Sequence, residues 1–257
     1  MKLHERHAEI VEVARQRGSV TVDGLAAQFA VTAQTVRKDL NDLCDRGLLK
    51  RTHGGALFPS GVANMEYEAR RSIAAQEKTA IGRAAAALIP NNASLFINIG
   101  TTTEAVSQAL LDHVGLMVIT NNINVANRLR VLPTMEVVIA GGIVRGSDGG
   151  VVGEAAVDFI RQFKVDYAVI GTSAIDADGA LLDFDFREVK VAQAIIANAR
   201  HVILVSDSTK FERTAPVRIA HLSQVHTFIT DVCSLASVRR VCAEADVQII
   251  ETSSSLP

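Results

Sequence analysis

Apolar positions in the first fifth of the chain repeat at helical spacing. Ile10, Val11, Val13 and Ala14 predict a helix from His4 to Arg17, with Gly18 at the position after its end, where a left-handed backbone is favoured. Leu25, Ala26 and Phe29 share one face of a second helix, from Val22 to Phe29. Val36, Leu40 and Leu43 fall at i, i+4 and i+7 in a third, from Ala33 to about Asp45, for which Thr32 is a good N-cap. The same spacing turns Gln34, Thr35, Arg37, Lys38 and Asn41 away from the buried face. After Gly47, the stretch from Leu48 to His53 alternates loosely before Gly54-Gly55, as a small β-wing does.

From about residue 75 the pattern changes. Continuous apolar runs at 94–98, 116–119, 137–140, 167–170, 202–205, 228–230 and 247–250 read as buried strands. Between them lie helical stretches at 77–89, 102–111, 125–129, 151–163, 186–199 and 235–245. Buried strands alternating with helices predict an α/β domain with a mostly parallel sheet covered on both faces. Gly54-Gly55-Ala56 and Pro59-Ser60-Gly61 break both periods. The chain therefore divides into residues 1–57, a linker over 58–74, and a second domain over 75–257.

Composition narrows the class. The chain has 257 residues, 48% of them hydrophobic, enough to exclude wholesale disorder. Its net charge of −2 taken alone argues against a nucleic-acid binder, but the sum hides a split. Residues 1–58 hold nine cations against seven acids, and the remainder seventeen against twenty-one. Within 46–53 there are three cations, one histidine and no acid. Cys44, Cys233 and Cys242 are odd in number and far apart, so reduced thiols are expected, with neither disulfide nor metal site. The charged amphipathic start is no export signal, and no run is long enough to span a membrane. A cytoplasmic protein without membrane contact is expected.

Two helices joined by a turn, the second exposing polar and cationic residues in its first turns, match the helix-turn-helix arrangement. Such a helix fits the major groove of double-stranded DNA, where Gln and Arg read base edges and Lys meets phosphate. A three-helix interaction module with a solvated charged face is the competing reading. In the second domain, the carboxyl ends of four strands deliver small polar residues: Asn98 to Glu104 with Gly100 and three threonines, Thr120-Asn121-Asn122, Gly141-Gly142, and Gly171-Thr172-Ser173. Open parallel sheets bind ligands there, and Thr101 to Thr103 at a helix N-terminus would suit phosphate. Neither Gly-x₄-Gly-Lys-Ser/Thr nor a helix-opening Gly-x-Gly-x-x-Gly occurs, so no nucleotide cofactor is expected. Arg145 is open to two readings, an anion clamp or an exposed side chain. Asp183, Asp185 and Lys210 are the parts of a proton-transfer site in sugar-phosphate isomerases.

The run from Gly18 to Leu43, with Thr35-Val-Arg-Lys-Asp-Leu40 at its heart, and the downstream His53-Gly-Gly-Ala56 closely resemble the DeoR family of bacterial transcriptional repressors. The likeness continues through Asn98-Ile-Gly-Thr-Thr-Thr, Thr120-Asn-Asn, Ala140-Gly-Gly, Gly171-Thr-Ser-Ala-Ile-Asp176 and Asp207-Ser-Thr-Lys-Phe211. It implies an N-terminal winged helix-turn-helix and a C-terminal sensor domain related in fold to ribose-5-phosphate isomerase and glucosamine-6-phosphate deaminase. By the same resemblance Gln34, Thr35, Arg37 and Lys38 would enter the major groove, with Lys50, Arg51 and His53 on the backbone or an adjacent groove. Gly100, Thr101, Thr102 and Thr103 would hold phosphate, Asn121 and Gly142 would border the ligand, and Asp176, Asp183, Asp185 and Lys210 would line its polyol end.

Within the family, the likeness is greatest to members that answer to glycerol 3-phosphate. One departure is Glu212-Arg-Thr after Lys210-Phe211, where those members carry Gly-Arg-Asn; an acid there would weaken anion binding or point outward. The expectation is a repressor, not an enzyme, released from its operator by glycerol 3-phosphate. A repressor sensing another phosphosugar, or a phosphosugar isomerase, is the alternative. One winged helix reads too few base pairs for genomic specificity, so a homo-oligomer, dimer or tetramer, is expected.

Overall fold

The computed structural model describes residues 3–17, 19–52, 54–57 and 67–252. Two compact units emerge, Met1–Ile73 and Ala74–Pro257. The first contains α1 (Leu3–Arg17), β1 (Ser19–Thr21), α2 (Val22–Phe29), α3 (Ala33–Asp45), β2 (Lys50–Thr52), β3 (Gly55–Leu57) and the short α4 (Tyr67–Ser72). Local chemistry sets each boundary. Thr21 caps α2 by accepting from the Gly24 N–H at 3.1 Å, and Thr32 caps α3 by accepting from the Thr35 N–H at 3.2 Å. Ala30, with φ of 52°, makes the left-handed turn that redirects the chain between them.

Three strands form an antiparallel sheet in the order β1-β3-β2. Gly55 is required there, because a Cβ would lie 1.9 Å from the Val20 carbonyl oxygen. Ile10, Ala14, Val22, Leu25, Val36, Leu40, Leu43 and Leu49 close one core among the helices and wing. The wing is as expected; the short β1, its third strand, was not. The helix α4 lies where a plain linker is expected, while Gly18 and Pro59-Ser60-Gly61 fall outside the described residues.

The second unit runs α5 (Ala75–Ala87), β4 (Ser94–Ile97), α6 (Thr101–Ala109), β5 (Met117–Thr120), α7 (Ile123–Leu129) and β6 (Glu136–Ile139). A hairpin of β7 (Ile143–Val144) and β8 (Val151–Val152) leads to α8 (Glu154–Ile160) and β9 (Val165–Ile170). Then come β10 (Ala174–Ile175), β11 (Ala180–Asp183), α9 (Phe186–Ala197) and β12 (Ala199–Val205). The last described elements are β13 (Val217–His221), β14 (Thr227–Thr230), α10 (Ala236–Glu244) and β15 (Gln248–Glu251). Seven strands form a fully parallel sheet in the order β15-β14-β12-β9-β4-β5-β6.

Two apolar clusters, one holding Phe96, Val191 and Phe228 and the other Ile81, Leu95 and Val106, make the core on the sheet's faces. The winding of successive strands reverses between β4 and β9, so this pair is the switch point. Two departures from the sequence pattern arise here. Residues 151–163, expected as one helix, open with β8, and β10, β11 and β13 form a separate antiparallel sheet. These strands are only two to five residues long, too short to leave a legible period.

Candidate nucleic-acid interface and ligand crevice

Helix α3 buries Val36, Leu40 and Leu43, and its opposite face exposes Gln34, Arg37, Lys38 and Asn41. Thr35 is half-buried, its hydroxyl paired with that of Thr32 at 2.9 Å. Lys50 and Arg51 are exposed on the wing, where the Arg51 guanidinium donates to the Gly55 carbonyl at 2.6 Å and braces the turn. His53 lies outside the described residues. Among the described residues Arg37, Lys38 and Lys50 enter no ion pair, whereas in the second unit Arg145, Arg161, Arg187, Lys190, Arg200, Arg218 and Arg239 all do. Cations left without carboxylates are available to phosphates.

In the sequence Asp39 counts only as one of the seven acids of residues 1–58. It is instead buried, and accepts from Arg6 Nε at 2.6 Å, from Arg6 Nη2 at 3.0 Å and from His7 Nε2 at 3.2 Å. Burial opposes its charge, but the hydrogen bonds from Arg6 and His7 prevail and hold the carboxyl below its ordinary value. The pairing locks α1 to the exposed helix α3. Its only sequence signal is that Asp39 falls between Val36 and Leu40, on the apolar side.

In the second unit the β4–α6 corner sits at the switch point. Gly100, with φ of 147°, turns the chain into α6, and the Thr103 hydroxyl donates to the carbonyls of Asn98 and Gly100 at 2.7 and 2.8 Å. Thr103 is therefore a bracing residue. Thr101 is half-buried and Thr102 buried at the helix N-terminus, where backbone N–H groups and the helix dipole favour an anion. Gly171 packs against this corner: a Cβ there would be 3.6 Å from Thr103 Cγ2.

At the adjacent ends of β4 and β5 lie Asn98 and Asn121. Both are buried, each with an Oδ1 that has no hydrogen-bond partner among the described residues, while Asn121 Nδ2 donates to the Val151 carbonyl at 3.1 Å. At the end of β12, Asp207 is buried with Lys78 Nζ 3.9 Å away and Lys210 close by. Burial works against the Asp207 charge, but Lys210 and Lys78 hold its carboxyl below the ordinary range. Two buried lysines thus stand around one buried carboxylate. Lys78, on the alanine-rich α5, was invisible to the pattern, since a lysine in a helix ordinarily reads as solvated surface.

Asp183 accepts from the Ser173 hydroxyl at 2.9 Å and from the Phe184 N–H at 2.6 Å. Asp185 caps α9 through the Arg187 N–H at 3.0 Å and pairs with Arg187 at 3.0 Å and Arg145 at 3.1 Å. Asp176 is half-buried beside the short β10, and Gly142 is exposed with φ of 153°. Glu212 is exposed, as the outward reading of that departure holds. Arg145, neither free nor simply exposed, is half-buried among carboxylates. Gly100 to Thr103, Asn121 and Lys210 thus gather at strand ends or the segments directly following them, whereas Asp183 and Asp185 are tied into the β11–α9 corner. No metal-ligating cluster occurs among the described residues, and no helix among them is long and apolar enough to cross a membrane.

Comparison with known proteins agrees in both units. Residues 6–62 match the DeoR-like helix-turn-helix domain, and residues 73–232 match the DeoR C terminal sensor domain. The chain is 45% identical over 249 residues to the glycerol-3-phosphate regulon repressor of Escherichia coli (strain K12), covering 97% of this chain and 99% of the relative. It is 47% identical over 230 residues to the protein of the same description from Haemophilus influenzae, covering 90% of each. The HTH-type transcriptional repressor CsqR of Escherichia coli (strain K12) is 39% identical, over 95% of this chain and 94% of the relative. Among solved structures, ribose 5 phosphate isomerase A from Neisseria gonorrhoeae overlaps 52% of each chain at 11% identity with a TM-score of 0.38.

Proposed function

Because the chain belongs to the DeoR family of transcriptional repressors, we propose that it represses genes of glycerol and glycerol 3-phosphate metabolism and leaves its operator when glycerol 3-phosphate binds the sensor domain. Near-full-length identity to repressors of that regulon carries the reading. Arg37, Lys38 and Gln34 face the major groove, and Lys50 and Arg51 approach phosphates from the wing. Thr101 and Thr102 take the phosphate, since the backbone N–H groups of a helix N-terminus favour an anion, and the buried lysines Lys78 and Lys210 add the positive charge it needs. Asn98 and Asn121 offer acceptors for the ligand's hydroxyls. The protein works in the cytoplasm, on double-stranded DNA, as a dimer or tetramer, because one head covers too few base pairs.

The isomerase alternative takes Asp183 or Asp185 as its base, and neither is placed for that role. Both oxygens of Asp183 are engaged, and Asp185, although burial opposes its charge, is held below the ordinary range by Arg187 and Arg145. A carboxylate stabilised in this way is a poor proton acceptor. Gel shift on a glycerol-operon promoter with a panel of phosphosugars tests the proposal. Release by glycerol 3-phosphate alone is expected. Release by another phosphosugar, with glycerol 3-phosphate inert, refutes the effector; turnover of ribose 5-phosphate or glucosamine 6-phosphate refutes the non-enzymatic reading.

A further inference from the structure

The loop over residues 141–150 carries five glycines and is mostly exposed, yet both of its sides are fastened. One side is stitched to the β5–α7 corner. There the Ile123 N–H donates to the Gly149 carbonyl at 3.0 Å, Val151 N–H to the Asn121 carbonyl at 2.7 Å, and Asn124 Nδ2 to the Asp148 carbonyl at 3.1 Å. On the other side the base of the hairpin, β8, packs on α9 in the core, and one polar residue of the loop itself, Arg145, reaches that helix. Arg145 grips Asp148 of its own loop at 2.8 and 2.7 Å, and across the gap it meets Asp185 at 3.1 Å and Glu188 at 2.6 Å. These two acids are the N-cap and the first turn of α9. The loop is therefore anchored at the end of β5, and Arg145 carries it to the β11–α9 corner, where Asp183 bonds Ser173 just past β9. Strand β4 lies between β5 and β9 in the sheet, so the span runs across the switch point.

We infer that Arg145 is a positioning residue, the tie that holds the 141–150 loop against α9 across the strand-end crevice, and that this tie must open to admit a ligand. Five glycines give the loop the backbone freedom to swing once released; buried Val151 and Val152 fix its base, while Ile143 and Val144, 64% and 52% exposed, hold its outer part little. The tie also has a built-in weakness. Glu188 faces Asp183 from β11 and Asp148 from the loop, with Asp185 sharing the same arginine. Burial and these like charges push the Glu188 carboxyl up to about 8 against the pull of Arg145. Since this value lies above the ordinary 4.5, the folded arrangement favours neutral Glu188, and its contribution is lost as pH rises through about 8.

The location of the crevice rests on the proposed function; the tie does not. Hydrogen–deuterium exchange on the full chain tests it without ligand. Arg145→Gln should lower the protection of residues 141–150 and 185–190 about tenfold, with Arg145→Lys intermediate, while β4, β5 and β9 keep theirs. Unchanged protection, or equal loss across the whole unit, overturns the inference. Glu188→Gln gives a second arm, available even where the arginine variant fails to fold. Wild-type loop protection, corrected for intrinsic exchange, should fall as pH rises from about 4.5 to about 8 and that of the variant should stay flat; superimposable profiles overturn the inference. Glycerol 3-phosphate is then added as probe: its failure to bind wild-type protein sinks the effector assignment and leaves the exchange result standing.

Discussion

Replacing Asp39 with alanine is the sharpest test of how the DNA-binding unit is built. The carboxylate is 1% exposed and takes three hydrogen bonds, two from Arg6 and one from His7, so the change strands an inward-facing guanidinium and a buried imidazole. Removing one partner of a buried ion pair costs about 3–5 kcal/mol. Among the described residues the unit's core holds ten buried apolar side chains, and a domain this small holds only ~3–5 kcal/mol in total. The two figures are comparable, so Asp39→Ala should leave the head largely unfolded at 25 °C while the sensor unit stays intact. Calorimetry of the full chain would show the head transition lost, the sensor transition unmoved, and operator binding abolished. Acid should mimic the mutation. The Asp39 carboxyl lies below its ordinary 3.8, so its stabilisation is present above that pH and disappears as pH falls through the lowered value. A variant head that melts with the wild type would refute the claim that this pairing holds α1 to α3.

Other substitutions separate the remaining roles. Arg37→Ala should weaken operator binding by about 1–3 kcal/mol and relax specificity if the side chain reads a base; equal loss on random DNA, with the salt slope reduced by about 0.9, identifies a phosphate contact instead. Thr102→Ala should blunt release by glycerol 3-phosphate in a gel shift while repression persists, and loss of repression would make the β4–α6 corner purely structural. Gly82→Ala would bring a Cβ to 2.6 Å from the Ala105 carbonyl oxygen, so helices α5 and α6 must part. It should cost ~1–3 kcal/mol and lower the sensor transition alone.

Much of this architecture was legible because strong periods leave little choice. The spacing of Val36, Leu40 and Leu43 located α3 at its observed bounds, and seven apolar runs located the seven strands of the parallel sheet. What failed was short or two-sided. The stretch 151–163 contains apolar residues enough for a helix, but Gly153 with φ of 103° separates Val151-Val152 from the true helix start at Glu154. The strands β10, β11 and β13 pair only with one another, a tertiary outcome that no local pattern carries.

The candidate sites show a different limit, one of charge rather than period. Sequence gives the position of every cation and acid but not how each is spent. Arg37 and Arg145 look alike in the chain, each beside polar residues. In the structure Arg37 is exposed without an acid partner among the described residues, whereas Arg145 serves three carboxylates. Lys78 and Lys38 likewise both sit on helices, yet one is 3% exposed beside Asp207 and the other faces solvent. A near-neutral total thus combines two economies of charge. The head leaves cations unpaired on one helix face, where they can exchange counterions for DNA phosphates. The sensor unit pairs many of its surface cations with local carboxylates and buries two lysines, Lys78 and Lys210, beside the carboxylate of Asp207.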